Sequence, residues 1–425
     1  MRKSGLARGL TIAVALCAPL WGQSPAQELF NRVRQKVSES VGRAPDFTCT
    51  EMINRFNYLP HGARGCAGVE PLESNLRQQS KDRLRLDVGV TGFNEIYSWH
   101  GEKKFSELGL EDLVGYGAIG TGMFSSFLAA IFTEGRGTFH FERAYEANGR
   151  SISEFAFVIP REISSWKVED RTGKSGVVGY GGTFLVDSAT ANLLALSIKT
   201  TDIPPAIGCC GVRIETQYHL VPLGSAVFLL PRTVESVMFS PGGSRSRDEI
   251  EYGDCHQFVG ESTIHFDASD SSPEPSQDSV ADEPLLPSGI TLQIRLTSAI
   301  DVKENWVGDP IEGRIEASIY DSKRKLLAPK GARITGRIVR LEQFEAPYRY
   351  TDIGMSWQHL ESGAAVYRLA AFLIDRTASP RPIRLGPMTS PQPSGTIVLR
   401  SGEPKLKANF VSYWITTKSQ PRAQR

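Results

Sequence analysis

The sequence predicts a mainly β protein: an antiparallel curved half-barrel with packed helices, followed by a small C-terminal β-barrel or sandwich. Three observations predict it. Segments that alternate apolar and polar residues recur along most of the chain. The connections between them are short and rich in Gly, Asn, Asp and Ser, which suits hairpins rather than βαβ units. One stretch, 267–286, is rich in Pro, Ser and acidic residues with few large apolar residues before Leu285, so it cannot bury enough surface to fold. It reads as a disordered linker between domains at 27–266 and 287–418, with a short disordered tail at 419–425.

The chain opens with Arg2, Lys3 and Arg8 ahead of "LTIAVALCAPLW". An apolar core of about a dozen residues is too short for a membrane span and suits a secretory signal peptide over residues 1–26. Ser24-Pro25-Ala26 sets small residues at the minus-three and minus-one positions, predicting cleavage before Gln27. Lipidation at Cys17 ranks below simple export, because Leu16 precedes it where a small residue is wanted. No later run reaches about 18 apolar residues, so no helix of the mature chain is expected to span a membrane.

Next, "QELFNRVRQKVSESVG" spaces Leu29, Phe30, Val33, Val37 and Val41 as an amphipathic helix. "RAPDFTCTEMINRFNYL" begins a strand region. "DRLRLDVGVTGFNEIYSW" alternates Leu84, Leu86 and Val88 with Arg83, Arg85 and Asp87, a strand with one face inward and one toward solvent. Further strands follow as "SEFAFVIP", "GYGGTFLVDSATANLLALSIKT", "RIETQYHLV" and "FLLPRTVESVMF". Beyond the linker, "GITLQIRLTSAI" places Ile290, Leu292, Ile294 and Leu296 on one face, and "IEGRIEASI" repeats the pattern. In "LLAPKGARITGRIV", a Pro329-Lys330-Gly331 turn leads into Ile334, Gly336 and Ile338, facing inward.

The formal net charge of +1 over 425 residues gives no reason to expect nucleic acid, an anionic membrane surface or an acidic substrate as the main partner. Five cysteines remain after export: Cys49, Cys66, Cys209, Cys210 and Cys255. An oxidising compartment favours disulfides, with Cys49–Cys66 closing a local loop and Cys255 reaching Cys209 or Cys210. The odd number leaves one thiol unpaired or intermolecular. A metal set of Cys209, Cys210, Cys255 and His256 with Asp254 is the weaker reading, since adjacent cysteines do not readily chelate one ion and no C-x-x-C occurs. No metal and no cofactor is expected.

Two motifs imitate nucleotide sites. Gly115 to Gly120, in "GYGAIGTGMF", fits G-x-G-x-x-G, but "SELGLEDLV" before it is not a buried parallel strand and a hairpin follows, so a hinge-like loop is the expectation. Gly173-Lys174-Ser175 lacks the earlier glycine of a P-loop, because position 168 is Val168, and reads as a turn. Hydrolase signatures of the G-x-S-x-G, H-E-x-x-H and S-x-x-K kinds are missing, and the seven histidines are scattered. A triad assembled in space is left as the third reading; the expectation is a protein that is not an enzyme. The one hint of binding is "MFSSFLAAIF", whose Phe124, Phe127, Leu128, Ile131 and Phe132 make a broad apolar stripe. Laid across a curved sheet, that helix would either fill the core or roof a ligand cavity, with Phe124, Phe127, Leu128 and Phe132 as ligand contacts.

With its N-terminal helix, curved antiparallel sheet, helix-bearing insertion and hairpins such as "GYGGTFLVDSATANLLALSI", the first domain resembles the LolA and LolB lipoprotein-carrier half-barrel. It also resembles uncharacterised exported acidobacterial proteins that share "FTCTE" and a Gly-rich stretch before a short helix. The second domain, through "GITLQIRLTSAI", "VGDPIEGRIEASIYD", "LLAPKGARITGRIV" and "LRSGEPKLKANFVSYWITT", resembles the TrbI-like β-barrel of conjugation and type IV secretion channels. It departs from that family in lacking an inner-membrane helix and a pore-building insertion. These resemblances imply an exported, periplasmic or outer-membrane-associated envelope protein of a Gram-negative-type bacterium. Its partner would be a lipid or lipoprotein segment held in the half-barrel; the alternative is an assembly module that meets an envelope protein through the C-terminal barrel.

Overall fold

A computed structural model describes residues 24–60, 65–66, 76–102, 104–115, 119–170, 172–258, 283–374, 394–400 and 404–418. The expected signal sequence to residue 23, most of the linker and the tail lie outside them. The chain starts with helix α1 (Pro25–Arg43), where the Ser24 hydroxyl accepts the Gln27 N–H at 3.2 Å and Pro25 occupies the first turn. The expected cleavage site therefore falls inside that turn, and cleavage there would remove the cap. Leu29, Phe30, Val33 and Val37 form the buried stripe of the helix, as their spacing predicts.

Strands β1 (Phe47–Tyr58), β2 (Gln78–Thr91) and β3 (Asn94–Trp99) come next. Short helices α2 (Leu110–Val114) and α3 (Ser126–Leu128) follow, the latter running into a π-helical turn at Ala129–Thr133. Then come β4 (Thr138–Ala147), β5 (Arg150–Ile159), the small hairpin β6 (Lys167–Glu169) and β7 (Ser175–Val177), β8 (Gly179–Asp187) and β9 (Leu193–Asp202). The run closes with β10 (Gly211–Leu223), β11 (Ala226–Phe239) and β12 (Arg245–Gln257). Every pairing is antiparallel, in the spatial order β4-β5-β8-β9-β10-β11-β12-β1-β2-β3. Directly opposed residues share a face, so the register defines rungs across the sheet. One rung is apolar almost throughout: Phe155, Phe184, Leu196, Thr216, Val234, Ile250, Ile53 and Leu84, all buried. Helix α1 and the π-helical turn pack on this face, with Phe30 at 6.2 Å and Phe132 at 5.1 Å from Phe184 between ring centroids.

The second half contributes β13 (Thr291–Leu296), β14 (Ile300–Asp301), β15 (Pro310–Ile315), β16 (Ile319–Tyr320), β17 (Leu326–Ala328) and β18 (Arg333–Phe344). It ends with β19 (Tyr350–Ser362), β20 (Ala365–Arg368), β21 (Ala371–Ile374), β22 (Gly395–Arg400), β23 (Lys405–Leu406) and β24 (Val411–Thr416). Its main row runs β22-β19-β18-β15-β13-β24-β21 and curls until its ends meet, where Gly395 lies against Leu373 and Trp414 with no space for a side chain. Trp357 and Trp414, both buried, meet edge to face at 6.2 Å inside it.

Two sequence expectations change. Arg83 and Arg85 do not project freely into solvent but reach the second half of the chain, both staying partly exposed. Arg83 donates to the carbonyls of Asn305 and Lys303 and sits 4.4 Å over the Trp306 ring, while Arg85 pairs with Asp309 at 3.2 Å. β3 covers only the Leu86–Thr91 half of the β2 edge; Ser80 and Lys81 pair with β18, and Leu84 bridges to Val307. The second half of the chain thus covers the exposed part of that edge. The disulfides also differ: Cys49 pairs with Cys255 and Cys66 with Cys210, leaving Cys209 free and buried. Pairing of β1 with β12 sets Cys49 beside Cys255 across a bulge, and the 65–66 turn docks beside the β11–β12 connection through Gly242 N–H to the Gly65 carbonyl. The metal set is overturned by the same bonds, which consume Cys210 and Cys255.

Candidate functional site

A cavity of about 440 Å³ lies between the loop-and-helix segment 119–130 and the inner face of β10, β11 and β12. It is within the ~300–1,000 Å³ common for small-molecule pockets. Phe127, Trp166, Tyr180, Ile214 and Met238 supply its apolar wall, and Phe127 meets Trp166 and Tyr180 edge to face at 5.2 and 6.0 Å. Its floor is the Ile214, Ser236 and Asp248 part of the rung next to the apolar one, which runs Phe157, Gly182, Ile198, Ile214, Ser236, Asp248, Arg55 and Asp82. Along that rung the sheet changes from hydrocarbon to charge.

At the charged end, Arg55 is gripped by Asp82 through two hydrogen bonds, Nε to Oδ1 at 2.8 Å and Nη2 to Oδ2 at 2.5 Å, both side chains being buried. Asp248 lies on the other side of Arg55 and is 4% exposed. Burial pushes its carboxyl group up to about 7, a rise opposed by Arg55 and helped by Asp82.

The glycine loop forms the roof. Glu95 on β3 accepts the backbone N–H groups of Gly122 at 2.6 Å and Phe124 at 3.0 Å, and the Tyr97 hydroxyl at 2.6 Å. The loop does bind an anion, but it is the protein's own carboxylate. Gly115 and Gly122 take positive φ of 76° and 88°, conformations open to glycine at little cost, while residues 116–118 of the G-x-G-x-x-G match lie outside the described residues. Thr121, Gly122 and Ser126 wall this cavity on one side and a more open cleft, beside Phe93 and Ile96, on the other. Gly173-Lys174-Ser175 closes the β6–β7 hairpin around Asp170, which accepts the N–H groups of Thr172, Lys174 and Gly208. The Thr172 hydroxyl, which donates to Asp170 at 2.6 Å, and then these backbone N–H groups hold the Asp170 carboxyl well below the usual carboxylate range.

The four predicted ligand contacts separate. Phe127 lines the cavity; Phe124 packs on Phe47 and Tyr252, Phe132 on Phe184, and Leu128 is fully enclosed. The histidines do not converge: His100 bonds Asp87 at 2.8 Å, His256 bonds Thr48 at 2.9 Å, and His61 and His265 lie outside the described residues. Asp248 and Arg55 were missed by motif reading, yet a signal existed. Ser246 and Asp248 are in phase with Ile250 and Tyr252, and Glu51 and Arg55 are in phase with Cys49 and Ile53, so polar residues occupy the inward register of two central strands.

No family profile and no curated protein matches the chain. Among solved structures, a DUF1329 family protein from Desulfovibrio piger aligns at 8% identity and TM-score 0.26, over 56% of this chain and 96% of that one. A domain assigned to outer membrane lipoprotein sorting from Vibrio parahaemolyticus aligns at 11% identity and TM-score 0.27, over 56% and 93%. LprF from Mycobacterium bovis gives 9% identity and TM-score 0.23, over 56% and 96%. Likeness at this level identifies neither a family nor a ligand.

Proposed function

We infer that this is an exported envelope protein that binds an apolar ligand, an acyl chain or apolar peptide segment, in the cavity beneath residues 119–130, and that it acts by binding rather than catalysis. The observation that carries the reading is the cavity itself: about 440 Å³ of space on the inner face of a sheet whose neighbouring rung is tightly packed. Phe127 is the contact retained from the predicted stripe, with Trp166, Tyr180 and Met238 beside it. The signal-like segment supports export, and the periplasm or outer membrane is the proposed compartment.

Native mass spectrometry of the full chain purified from its own envelope tests this. A co-purifying lipid or apolar adduct is expected, and Ala130→Trp, which fills the cavity from its roof, is expected to lose it. A wild-type spectrum with no adduct, before and after incubation with phospholipid vesicles, would contradict the reading.

One observation favours the second reading, an assembly module of the kind the TrbI-like resemblance implies. Tyr320 and Leu326, register partners on the β16–β17 hairpin, are 54% and 48% exposed. Exposed apolar pairs of this kind suit a protein contact. Under this reading, Tyr320→Asp abolishes recovery of a cross-linked envelope partner and leaves the ligand adduct in place.

A further inference from the structure

Asp248 is a buried acid on the cavity floor whose chemistry is left incomplete. Its natural partner is Arg55, its cross-strand neighbour, but the Arg55 guanidinium turns to Asp82 with both Nε and Nη2. Among the described residues no hydrogen bond reaches the Asp248 carboxyl group, although it is 4% exposed and borders the cavity. Buried polar groups are nearly always paired, and a buried acid left without a donor is costly. The remaining charges on the cavity wall are Glu111 and Glu169 against Lys167, all toward its mouth. Counting Arg55 and Asp82, next along the same rung, as a neutral pair, the lining carries an excess of negative charge when Asp248 is ionised.

We propose that the ligand is an amphiphile with an ammonium head, seated with its N–H donors on Asp248 at the Ser236 end of the floor and its hydrocarbon body along Phe127, Trp166 and Tyr180. This rests on the reading that the cavity holds an apolar ligand, and it adds the head-group class. Three N–H donors on a compact cation match a carboxylate that lacks partners, and a cation neutralises the excess charge of the lining. Above about pH 7, where Asp248 is ionised, a carboxylate-headed chain would set two anions against each other without a donor between them, which opposes binding. An alcohol head satisfies one bond without the charge and falls between.

Isothermal titration of the full chain at a pH above 7, where Asp248 is ionised, with dodecylamine, dodecanol and dodecanoate, each below its micellar concentration, tests the assignment. Chain length is constant, so differences report the head group. The expected order is amine, then alcohol, then acid, with the amine at least about tenfold tighter than the acid, the size of effect one charge-assisted hydrogen bond supplies. Asp248→Asn should bring amine and acid to within about threefold and leave dodecanol within about twofold of wild type. Burial already favours the neutral carboxyl group, so the amide is expected to fold; the wild-type rank order stands as a test without it. Dodecanol binding with no preference for the amine overturns the head-group assignment alone, as does an amine preference that survives Asp248→Asn. Failure of all three chains to bind overturns the apolar-ligand reading with it.

Discussion

Glu51 shows how strongly burial alters one side chain. It is 1% exposed, accepts the Tyr252 hydroxyl at 3.0 Å through Oε1, and leaves Oε2 without a partner. Desolvation pushes its carboxyl group from 4.5 up to about 8, the hydrogen bond from Tyr252 opposing the rise. Between those values the folded chain keeps a proton that the unfolded chain releases. Stability contributed by Glu51 is therefore greatest below pH 4.5, falls as pH rises to about 8 and is flat beyond. Glu51→Gln, which cannot ionise, should exceed wild type by on the order of 3 kcal/mol in urea unfolding at pH 7 and converge with it near pH 4. Equal stability at both pH values would contradict this assignment. Such residues were hard to see in the sequence because "FTCTEMINRF" alternates, as any half-buried strand does. Only the register, with Glu51 and Arg55 in phase with Ile53, reveals that the polar residues point inward.

At the scale of elements, the alternation of β2, β13 and β18 and the 3.6-residue stripe of α1 were legible, because each depends on local periodicity alone. The 124–132 segment was read as one regular helix, and it is a single α turn followed by a π turn. Tertiary contacts impose that change: Arg34 on α1 donates to the Phe132 carbonyl at 2.8 Å, and Phe132 is driven against Phe184. Disulfide pairing was not legible, since Cys49 and Cys255 are 206 residues apart and meet only through strand order. The roof of the cavity depends on Glu95. Glu95→Ala removes the acceptor for the Gly122 and Phe124 amides, so hydrogen exchange at those two positions should quicken by about tenfold or more while β10 and β11 keep their protection. Unchanged exchange at Gly122 would show that the loop is held by something other than this carboxylate.

Across the whole molecule, the two halves meet along the lower edge of β2. Arg83, held by the Lys303 and Asn305 carbonyls and stacked on Trp306, is the centre of that contact. Nothing in "DRLRLDV" distinguishes an arginine facing water from one facing the second half of the chain, so the alternation alone predicts a solvent face. Combined Arg83→Ala and Trp306→Ala should loosen the contact without entering either core, and calorimetric unfolding should resolve into two transitions where the wild type gives one. A single unshifted transition would show that the halves are not coupled through this edge.

Trp166 lies in the wall of the cavity beside Phe127, where a bound chain would pass. The most direct measurement is quenching of tryptophan fluorescence by a dodecyl chain brominated near its methyl end, in wild type and in Trp166→Phe. Quenching requires near contact with the bromine. Saturable quenching in the wild type that disappears in Trp166→Phe, with chain binding retained by titration, is the predicted result. Quenching that persists unchanged without Trp166, or its absence from a wild type that binds the chain, would place the ligand elsewhere and contradict the account.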